Sequence, residues 1–531
     1  MVEMPLTGAV ASLMRVPAEI FTREIEGLYG STLLSEIPEL IKYYDIYENG
    51  VEFETEGSKG DYIPSDLRYK SAASIIDKEA RFMFSKPPEY WVDVPYDKSN
   101  KEQMLAAGNQ LQVLINRVLS YNHFNSILLK AAKDCLVAKR VAYFVNFDEE
   151  KGTVRISFIP SLEFVYDTDE SDPNILTKII AFYNVTDNRY SKDQRIYKKK
   201  YWLQNGVCWI NEGLYDGMGR LVEELVPDRP TKFNYIPAGV VVNDGLTGDL
   251  LGVSELDKLS YFEKWYSRMA NADMDAERQG MNPVRYARDM NPSSTKNLSI
   301  GAGSFWDLVT DPAAPEGVTG EVGVLETSMG YTGALASTLG RIKSGMYETV
   351  DMPDVSPEAL KGVVSSGKTL EAIYWGLIVR CEEKMLVWKP ALKRILEIII
   401  EGAKLYPGSV KNFVVGKIPD VEYDIRVENQ YPLPGDEMNE KQSDLSEVAA
   451  QTMSKKAYMK KWRNLTDDEA DAELKQIALE RELLEDSFSM PPYMPAPSGK
   501  DDSEEDPEEN TEENSEEKSE EDMGEDLKEE V

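Results

Sequence analysis

The sequence of 531 residues is poor in cysteine and histidine. Its three cysteines, Cys135, Cys208 and Cys381, stand singly, so they indicate neither a disulfide framework nor a zinc site. With His123 as the one histidine, a Ser/His/Asp triad and a multi-histidine metal site are both disfavoured. We therefore predict no catalytic residue, no cofactor and no metal, and a protein that is not an enzyme.

Long apolar runs and an excess of basic residues are also missing. No run approaches the roughly 20 apolar residues of a membrane helix, and Glu3 with no basic region before it makes a poor signal peptide. The formal net charge is -35. A protein that grips nucleic acid by neutralising phosphates should instead present a basic face. This composition predicts a soluble acidic protein, made inside the cell, with no membrane partner.

The C-terminal stretch is the most acidic part of the chain. Between Lys500 and Val531 there are 18 Asp and Glu residues against 3 Lys, a local charge of -15, which leaves -20 for the remainder. Almost no apolar residues accompany these charges, so burial cannot offset the entropy that ordering would cost. We expect residues 491–531 to be a disordered acidic tail.

What is present is a change of periodicity along the chain. Apolar steps of three and four predict helices up to about residue 48, after an N-cap at Ser65, and across 101–140. The period then becomes two, which predicts a hairpin of AYFVNF and VRISFI and further antiparallel strands up to FNYIPAGVVVND. DVEYDIRVENQYPLP reads as a strand that returns to this sheet. The fold class predicted is α+β, predominantly helical.

Two long helices flank a β-rich insertion in the next part. Ser254 with Asp257 matches a capping box and opens a helix that we place at 254–279. VRYAR, GSFWDLV and VGVLET read as short strands, and TGALASTLGRIKSGMYETV as the second helix. The chain is helical again after Gly435.

A loop and a long helix, Val350 to Gly402, follow the insertion. The helix has an apolar face from Tyr374 to Ile399, and Pro390 inside it predicts a kink. The loop contains GVVSSGKT at 362–369, a match to the phosphate-binding G-x-x-x-x-G-K-[ST] pattern. A working site needs a buried strand before Gly362, whereas Ser356, Pro357 and Gly362 predict a short capped helix there. We prefer a loop of small residues that leads into the helix, with a P-loop ATPase as the alternative.

The order of these elements resembles the portal proteins of tailed bacteriophages over about residues 40–490. The features that match are the Lys86-Pro87-Pro88 turn with the hairpin and its close, RVAYFVNFDEEKGTVRISFIPSLEFVYD, then GVSELDKLSYFEKWYSRMANAD and SSGKTLEAIYWGL. Lys368-Thr369 departs from the family pattern, in which a small residue is commoner. Two alternatives to a portal protein are a P-loop ATPase of a packaging motor and another ring-forming structural protein of the virion.

The resemblance implies a portal fold with defined segments. They are an N-terminal helical segment at 1–39, a wing at 40–250 with a return strand at 403–436, stem helices at 251–280 and 331–349, a clip at 281–330, a tunnel loop at 350–367, a kinked wing helix at 368–402, a crown at 437–490 and the disordered tail at 491–531. The implied assembly is a ring, a dodecamer in the mature virion, at one capsid vertex, produced in the host bacterial cytoplasm.

The ring would be the channel through which double-stranded DNA is packaged and ejected. Its other implied partners are terminase, the head–tail connector, and the major capsid and scaffolding proteins. The candidate residues for the tunnel loop and the DNA-facing surface are Lys343, Asp351, Asp354, Lys361 and Lys368. The candidates for partner contacts in the clip are Arg285, Arg288, Phe305 and Trp306.

Overall fold

A computed structural model describes most of the chain. The described residues are 17–25, 30–54, 63–185, 194–243, 245–246, 249, 251–281, 284–295, 308–313, 315, 317, 319–325, 330–353, 367–414, 416–432, 437–463, 465 and 467–487. The chain divides into two compact units, Met1–Glu437 and Met438–Val531. The predicted disordered tail and the short helix predicted before Gly362 lie outside the described residues.

The first unit combines helices with short antiparallel strands. Its helices are α1 Pro17–Ile20, α2 Thr22–Ile25, α3 Gly30–Asn49, α4 Ser71–Phe84, α5 Lys101–Tyr121, α6 Phe124–Val137, α7 Glu255–Met281, α8 Pro292–Thr295, α9 Thr332–Glu348 and α10 Gly367–Leu405. Its strands are β1 Glu89–Asp93, β2 Arg140–Asp148, β3 Thr153–Pro160, β4 Phe164–Thr168, β5 Leu176–Asn184, β6 Arg195–Gln204, β7 Val207–Asp216, β8 Leu221–Pro230, β9 Ala238–Val242, β10 Val284–Arg288, β11 Glu321–Leu325 and β12 Asp424–Glu428. The α+β class is confirmed.

The strands make four antiparallel sheets. One has the order β3-β2-β9 and another the order β4-β5-β6-β7-β8, while β1 pairs with β12 and β10 pairs with β11. The predicted hairpin is present, since β2 and β3 pair from Val141 opposite Pro160 to Asp148 opposite Thr153. The predicted strand at VRYAR and the one at VGVLET are β10 and β11, so the insertion between the two long helices carries a hairpin-like pair.

The long helix α10 supplies a large part of the core. Leu377, Cys381, Met385, Leu392 and Ile399 are almost completely buried, which confirms the predicted apolar face. The helix runs from Gly367 to Leu405 without a break in its assignment, with Pro390 inside it. The apolar face of α10 therefore packs into the core, as the spacing of its apolar residues predicts.

Two predictions about local structure are wrong. Ser65 does not cap a helix: residues 63–70 belong to neither a helix nor a strand and α4 begins at Ser71, because Ser65 donates its backbone N–H and its hydroxyl to the carboxylate of Asp275. The strand near residue 425 does not join the larger sheets. It pairs with β1, Ile425 opposite Val92, in a two-stranded sheet of its own.

The second unit is helical where it is described. It contains α11 Glu437–Ala449, which begins at the boundary between the units, α12 Lys455–Arg463 and α13 Asp467–Ser487. Asp444 accepts hydrogen bonds from Trp462 at 2.7 Å and pairs with Lys461 at 2.7 Å, and Arg463 pairs with Glu473 at 2.9 Å. These contacts hold the three helices together, and the prediction of helices after Gly435 is confirmed.

Candidate functional site

Helices α7 and α9 pack against each other, and the β10–β11 pair lies between them in the sequence. Gly345 of α9 permits this approach, because a Cβ atom there would lie 3.1 Å from a ring carbon of Phe262. Ser254 caps the start of α7: its Oγ accepts a hydrogen bond from Leu256 N–H at 3.1 Å and donates one to Val137 O at 2.6 Å. The predicted capping box is wrong in its second half, because the carboxylate of Asp257 accepts a hydrogen bond from the Tyr43 hydroxyl at 2.6 Å instead. The helix pair is thus anchored to the body of the unit at its α7 end.

Four side chains on one side of α7 accept hydrogen bonds from the backbone of residues 65–72. We name these four side chains the side-chain ladder. Its members are spaced four residues apart, so they lie on one side of the helix: Glu263, Ser267, Asn271 and Asp275. Each accepts a hydrogen bond from a backbone N–H of the segment, from Ala72 at 2.6 Å, Tyr69 at 3.3 Å, Leu67 at 2.8 Å and Ser65 at 3.0 Å respectively.

The ladder satisfies backbone groups that would otherwise lack partners. Asn271 also donates its side-chain amide to Leu67 O at 2.7 Å, so the two residues exchange a pair of hydrogen bonds. Glu263 binds Val51 N–H at 3.4 Å as well as Ala72 N–H, and Ala72 lies in the first turn of α4. A carboxylate at a helix N-terminus is favoured by the helix dipole. Glu263 therefore caps α4 from another helix.

Burial controls the acidity of Glu263. Its side chain has no exposed surface, and desolvation raises its pKa to about 7 although the N–H groups of Ala72 and Val51 pull the value down. No cation is paired with it among the described residues. This carboxyl group changes protonation near neutral pH.

Four charged side chains, which we name the charge cluster, are buried where α4, α7 and α10 meet. They are Glu79, Glu255, Arg380 and Lys384. Arg380 Nε lies 3.0 Å from Glu79 and another of its nitrogens contacts Glu255, while Lys384 Nζ lies 2.6 Å from Glu255 and 3.6 Å from Glu79. The two acids and two bases balance, which is the condition under which buried charges are tolerated.

The two acids of the charge cluster differ in acidity. Burial raises the pKa of Glu79 above its ordinary value despite the attraction of Lys384 and Arg380, and Glu79 Oε2 has no hydrogen-bond partner within the described chain. For Glu255, burial acts in the same direction, but Lys384 and Arg380 outweigh it and the pKa is lowered. The cluster links the start of α7 to α10 through charge-assisted hydrogen bonds.

The structure places the predicted channel residues unevenly. Lys343 is exposed on α9, with Nζ 5.8 Å from the ring centroid of Tyr347, and Asp351 is exposed just after that helix with a φ of 49°. Lys368 is in the first turn of α10. Asp354 and Lys361 lie outside the described residues, so the proposal that the five lie together stays a prediction.

The predicted clip residues are likewise only partly described. Arg285 and Arg288 are exposed on β10, in register with Val324 and Glu321 of β11. Phe305 and Trp306 lie outside the described residues.

Sequence reasoning missed the ladder and the charge cluster. The signal for the ladder was available, since Glu263, Ser267, Asn271 and Asp275 recur every four residues on α7 opposite its exposed side. The cluster gave no such signal, because its members come from three helices that are distant in the sequence.

The described residues show few chemical groups suited to catalysis. All three cysteines are buried and free, and burial raises the pKa of Cys135 to about 12 and that of Cys208 to about 11. Within the described ranges no group of three or more His, Cys, Asp or Glu is placed to hold a metal ion. None of the described helices is both long enough and apolar enough to cross a membrane.

The chain matches the model of a known protein family. The model of a family described as "Phage portal protein, SPP1 Gp6-like" matches residues 32–484, which include α7, the β10–β11 pair, α9 and α10. No curated protein matches the chain at a significant level.

Proposed function

Because this chain belongs to the family of SPP1 Gp6-like phage portal proteins, we propose that its copies form a closed ring, a dodecamer, at one vertex of the capsid. Double-stranded DNA passes through the centre of this ring during packaging and ejection. The observation that carries the proposal is the match over 32–484, which takes in both long helices and the insertion between them. The family indicates a structural protein of the phage virion rather than an enzyme.

The segments then receive the following roles. Helices α7 and α9 are the stem, residues 281–330 are the clip, 350–367 the tunnel loop, 437–490 the crown, and 40–250 with 403–436 the wing, into which α10 packs as the helix behind the loop. The charge cluster supports this division, because it ties the start of the stem to α10 and therefore to the loop that precedes it.

The electrostatics suit a channel that DNA crosses without being held. Each phosphate that a protein neutralises adds affinity and salt dependence, which would slow translocation. The chain has a net charge of -35, and the lysines proposed to face the channel are few: Lys343, Lys361 and Lys368, with Asp351 and Asp354 between them in the sequence. These lysines steer the DNA through weak contacts.

Packaging of DNA into heads that contain charge-reversed variants tests the steering contacts. We expect Lys361→Glu to reduce packaging or retention of DNA, and unchanged packaging and retention would refute the contacts while leaving the ring proposal standing. A matched control is Lys151→Glu, a reversal of an exposed lysine in the turn between β2 and β3.

The clip is the proposed contact with terminase and later with the head–tail connector. Arg285 and Arg288 present their side chains at the surface of β10 there. The wing and crown are the proposed contacts with the major capsid and scaffolding proteins. Deletion of 498–531 tests whether the acidic tail takes part in assembly, since normal procapsids without it would remove such a role.

Images of the negatively stained protein, alone and within proheads, test the central proposal. We expect rings with a central hole, and their absence from both samples would refute it. Purification of the protein without head components does not suffice on its own, because ring closure can require them.

A P-loop ATPase is the competing function, and one observation favours it: α10 begins at Gly367, where a phosphate-binding helix would begin. Against it, the element described before this stretch is helix α9. Glu401, which follows the downstream ILEIII segment in α10, accepts a hydrogen bond from the hydroxyl of Tyr235. ATP turnover by the purified protein that Lys368→Ala abolishes would establish the ATPase, and the absence of turnover would exclude it.

A further inference from the structure

The outward side of α10 has an apolar stripe that no described residue covers. Trp375 is 63% exposed, Val379 43% and Leu386 74%, and this stripe follows the helix for about 16 Å at 1.5 Å per residue. The exposed residues between Ala372 and Pro390 include a single charged side chain, Glu383. An exposed apolar run of this kind marks an interaction surface. We name Trp375, Val379, Glu383 and Leu386 the α10 stripe.

A second uncovered surface lies on α7, on the side away from the ladder. Tyr261 is 74% exposed and Trp265 51%, and Lys264 and Arg268 lie beside them at the three- and four-residue spacing of one helix face. The guanidinium of Arg268 lies 5.3 Å from the ring centroid of Trp265. We name these four residues the α7 face.

The α7 face borders a groove with apolar walls. Tyr261 and Trp265 line it together with Phe262, Met269 and Ile342, and its volume is about 260 Å³. A groove of this size can receive one or two large apolar side chains from another molecule.

We propose that the α10 stripe of one copy packs on the α7 face and its groove in the next copy. This inference rests on the proposed ring and says how its neighbours meet. A ring requires two different complementary surfaces on each subunit, because a head-to-tail contact repeats around it. The α10 stripe and the α7 face are two such surfaces, both apolar and both exposed in the single chain.

Their charges are complementary. In the described part of the chain Glu383 is in no ion pair, and neither is Lys264 or Arg268. When the two surfaces meet, Glu383 of one copy faces the two cations of the next. A nucleic acid does not fit the stripe, because its one charge is negative and would repel phosphate.

The first experiment compares single variants under conditions in which the wild-type protein forms rings. Trp265→Glu and Leu386→Glu each place a carboxylate within one surface, and we expect each to weaken association by roughly tenfold or more. Analytical ultracentrifugation measures the loss of rings. Met218→Glu is the control, since Met218 is at least as exposed as Trp265 and Leu386 and lies in the turn after β7, outside both surfaces.

Mixing the two variants tests whether the surfaces lie on opposite sides of a subunit. Trp265→Glu retains an intact α10 stripe, and Leu386→Glu retains an intact α7 face. The equimolar mixture should therefore form pairs of one copy of each variant and stop there, because no further intact surface remains. A mixture that stays entirely as single chains would refute the proposed pairing.

Direct contact is tested with a disulfide. The double variant Trp265→Cys, Leu386→Cys should form covalent chains of several subunits under mild oxidation, whereas each single variant should not. The three native cysteines are buried and do not compete. Reversal of charge adds a second check: Glu383→Arg and Arg268→Glu should each weaken rings, and the combination should restore them.

The outcomes separate this inference from the proposed function. If the wild-type protein forms rings and both glutamate variants do as well, the pairing is refuted and the ring is not. If the wild-type protein forms no ring in any head preparation, the proposed function itself fails. Circular dichroism of each variant establishes that the exposed substitutions leave the fold intact.

Discussion

Replacement of Arg380 by methionine should destabilise the protein more than any single change at its surface. Methionine retains the length of the side chain but removes its charge, so Glu79 loses its 3.0 Å partner. Glu255 loses one of three cations and keeps Lys384 and, at 3.9 Å, Lys258. The charge cluster then has two buried acids against one base. Removal of one member of a buried ion pair costs about 3–5 kcal/mol, because an uncompensated charge stays in the interior.

The structure indicates which acid bears this loss. Glu255 keeps Lys384 at 2.6 Å, whereas Glu79 keeps only the same lysine at 3.6 Å and has one oxygen that is already without a partner in the described chain. The pKa of Glu79 is raised in the native protein, so its folded form binds a proton more readily than its unfolded form. The contribution of Glu79 to stability therefore falls as the pH rises from its unfolded-state pKa through its folded-state pKa. In Arg380→Met this pH dependence of stability becomes larger. The loss of stability relative to the wild-type protein should therefore shrink in acid, where Glu79 is protonated.

Urea unfolding followed by tryptophan fluorescence is the assay. Trp388 is one turn beyond Lys384 and packs on Phe84 with ring centroids 5.3 Å apart, so its share of the emission from the eight tryptophans reports on this part of the core. Arg426→Met is the matched control, because it breaks an exposed pair with Asp93 and should change stability little. The second variant is Glu79→Gln combined with Arg380→Met, which removes one charge of each sign.

Three results would refute the reasoning. The first is a loss of unfolding free energy in Arg380→Met that is no larger than the loss in Arg426→Met. The second is a deficit that does not diminish in acid. The third is a double variant whose loss equals the sum of the two single losses, since coupled residues in contact should deviate from additivity by about 0.5–3 kcal/mol.

Two further predictions concern carboxylates that join distant segments. Burial raises the pKa of Glu263 to about 7 from 4.5, so the wild-type protein should lose stability as the pH rises through this interval, and Glu263→Gln should lack that loss when unfolding is measured across it. Glu24 of α2 pairs with Lys198 at 2.6 Å and Lys200 at 3.2 Å. Burial would raise its pKa, but the two lysines lower it, so its stabilisation is present above pH 4.5 and is lost in acid. Glu24→Gln should free Pro17–Ile25 from the sheet, measured as faster proteolysis there, and an unchanged cleavage rate would contradict this role.

The long periodic elements could be predicted from the sequence. Helix α7 was placed at 254–279 and extends from Glu255 to Met281, because a strong cap and an apolar stripe define it locally. β8 was not predicted. It contains Pro227 and Pro230 and is exposed almost throughout, so it has neither the alternation nor the composition of a strand. Its neighbour β7 determines its conformation.

The candidate site was less predictable than the fold. Lys343 and Asp351 could be proposed from their position in the sequence, but the groups that organise the helices are tertiary. Ser65 illustrates the reason: it has the residue type of a helix cap, yet its hydrogen bonds go to Asp275, 210 residues further along the chain. A local rule cannot weigh such a competitor.

The side-chain ladder has a mechanical consequence. Its four side chains accept hydrogen bonds from the backbone N–H groups of Ser65, Leu67, Tyr69 and Ala72, so a shift of the helix by one residue would break all four at once. Shear along α7 is therefore resisted collectively, and a load on the helix is shared along the whole of Ser65–Ala72 and passed to the first turn of α4. In the proposed stem, the ladder joins α7 to Ser65–Ala72, so a force on that helix is transmitted directly to the proposed wing.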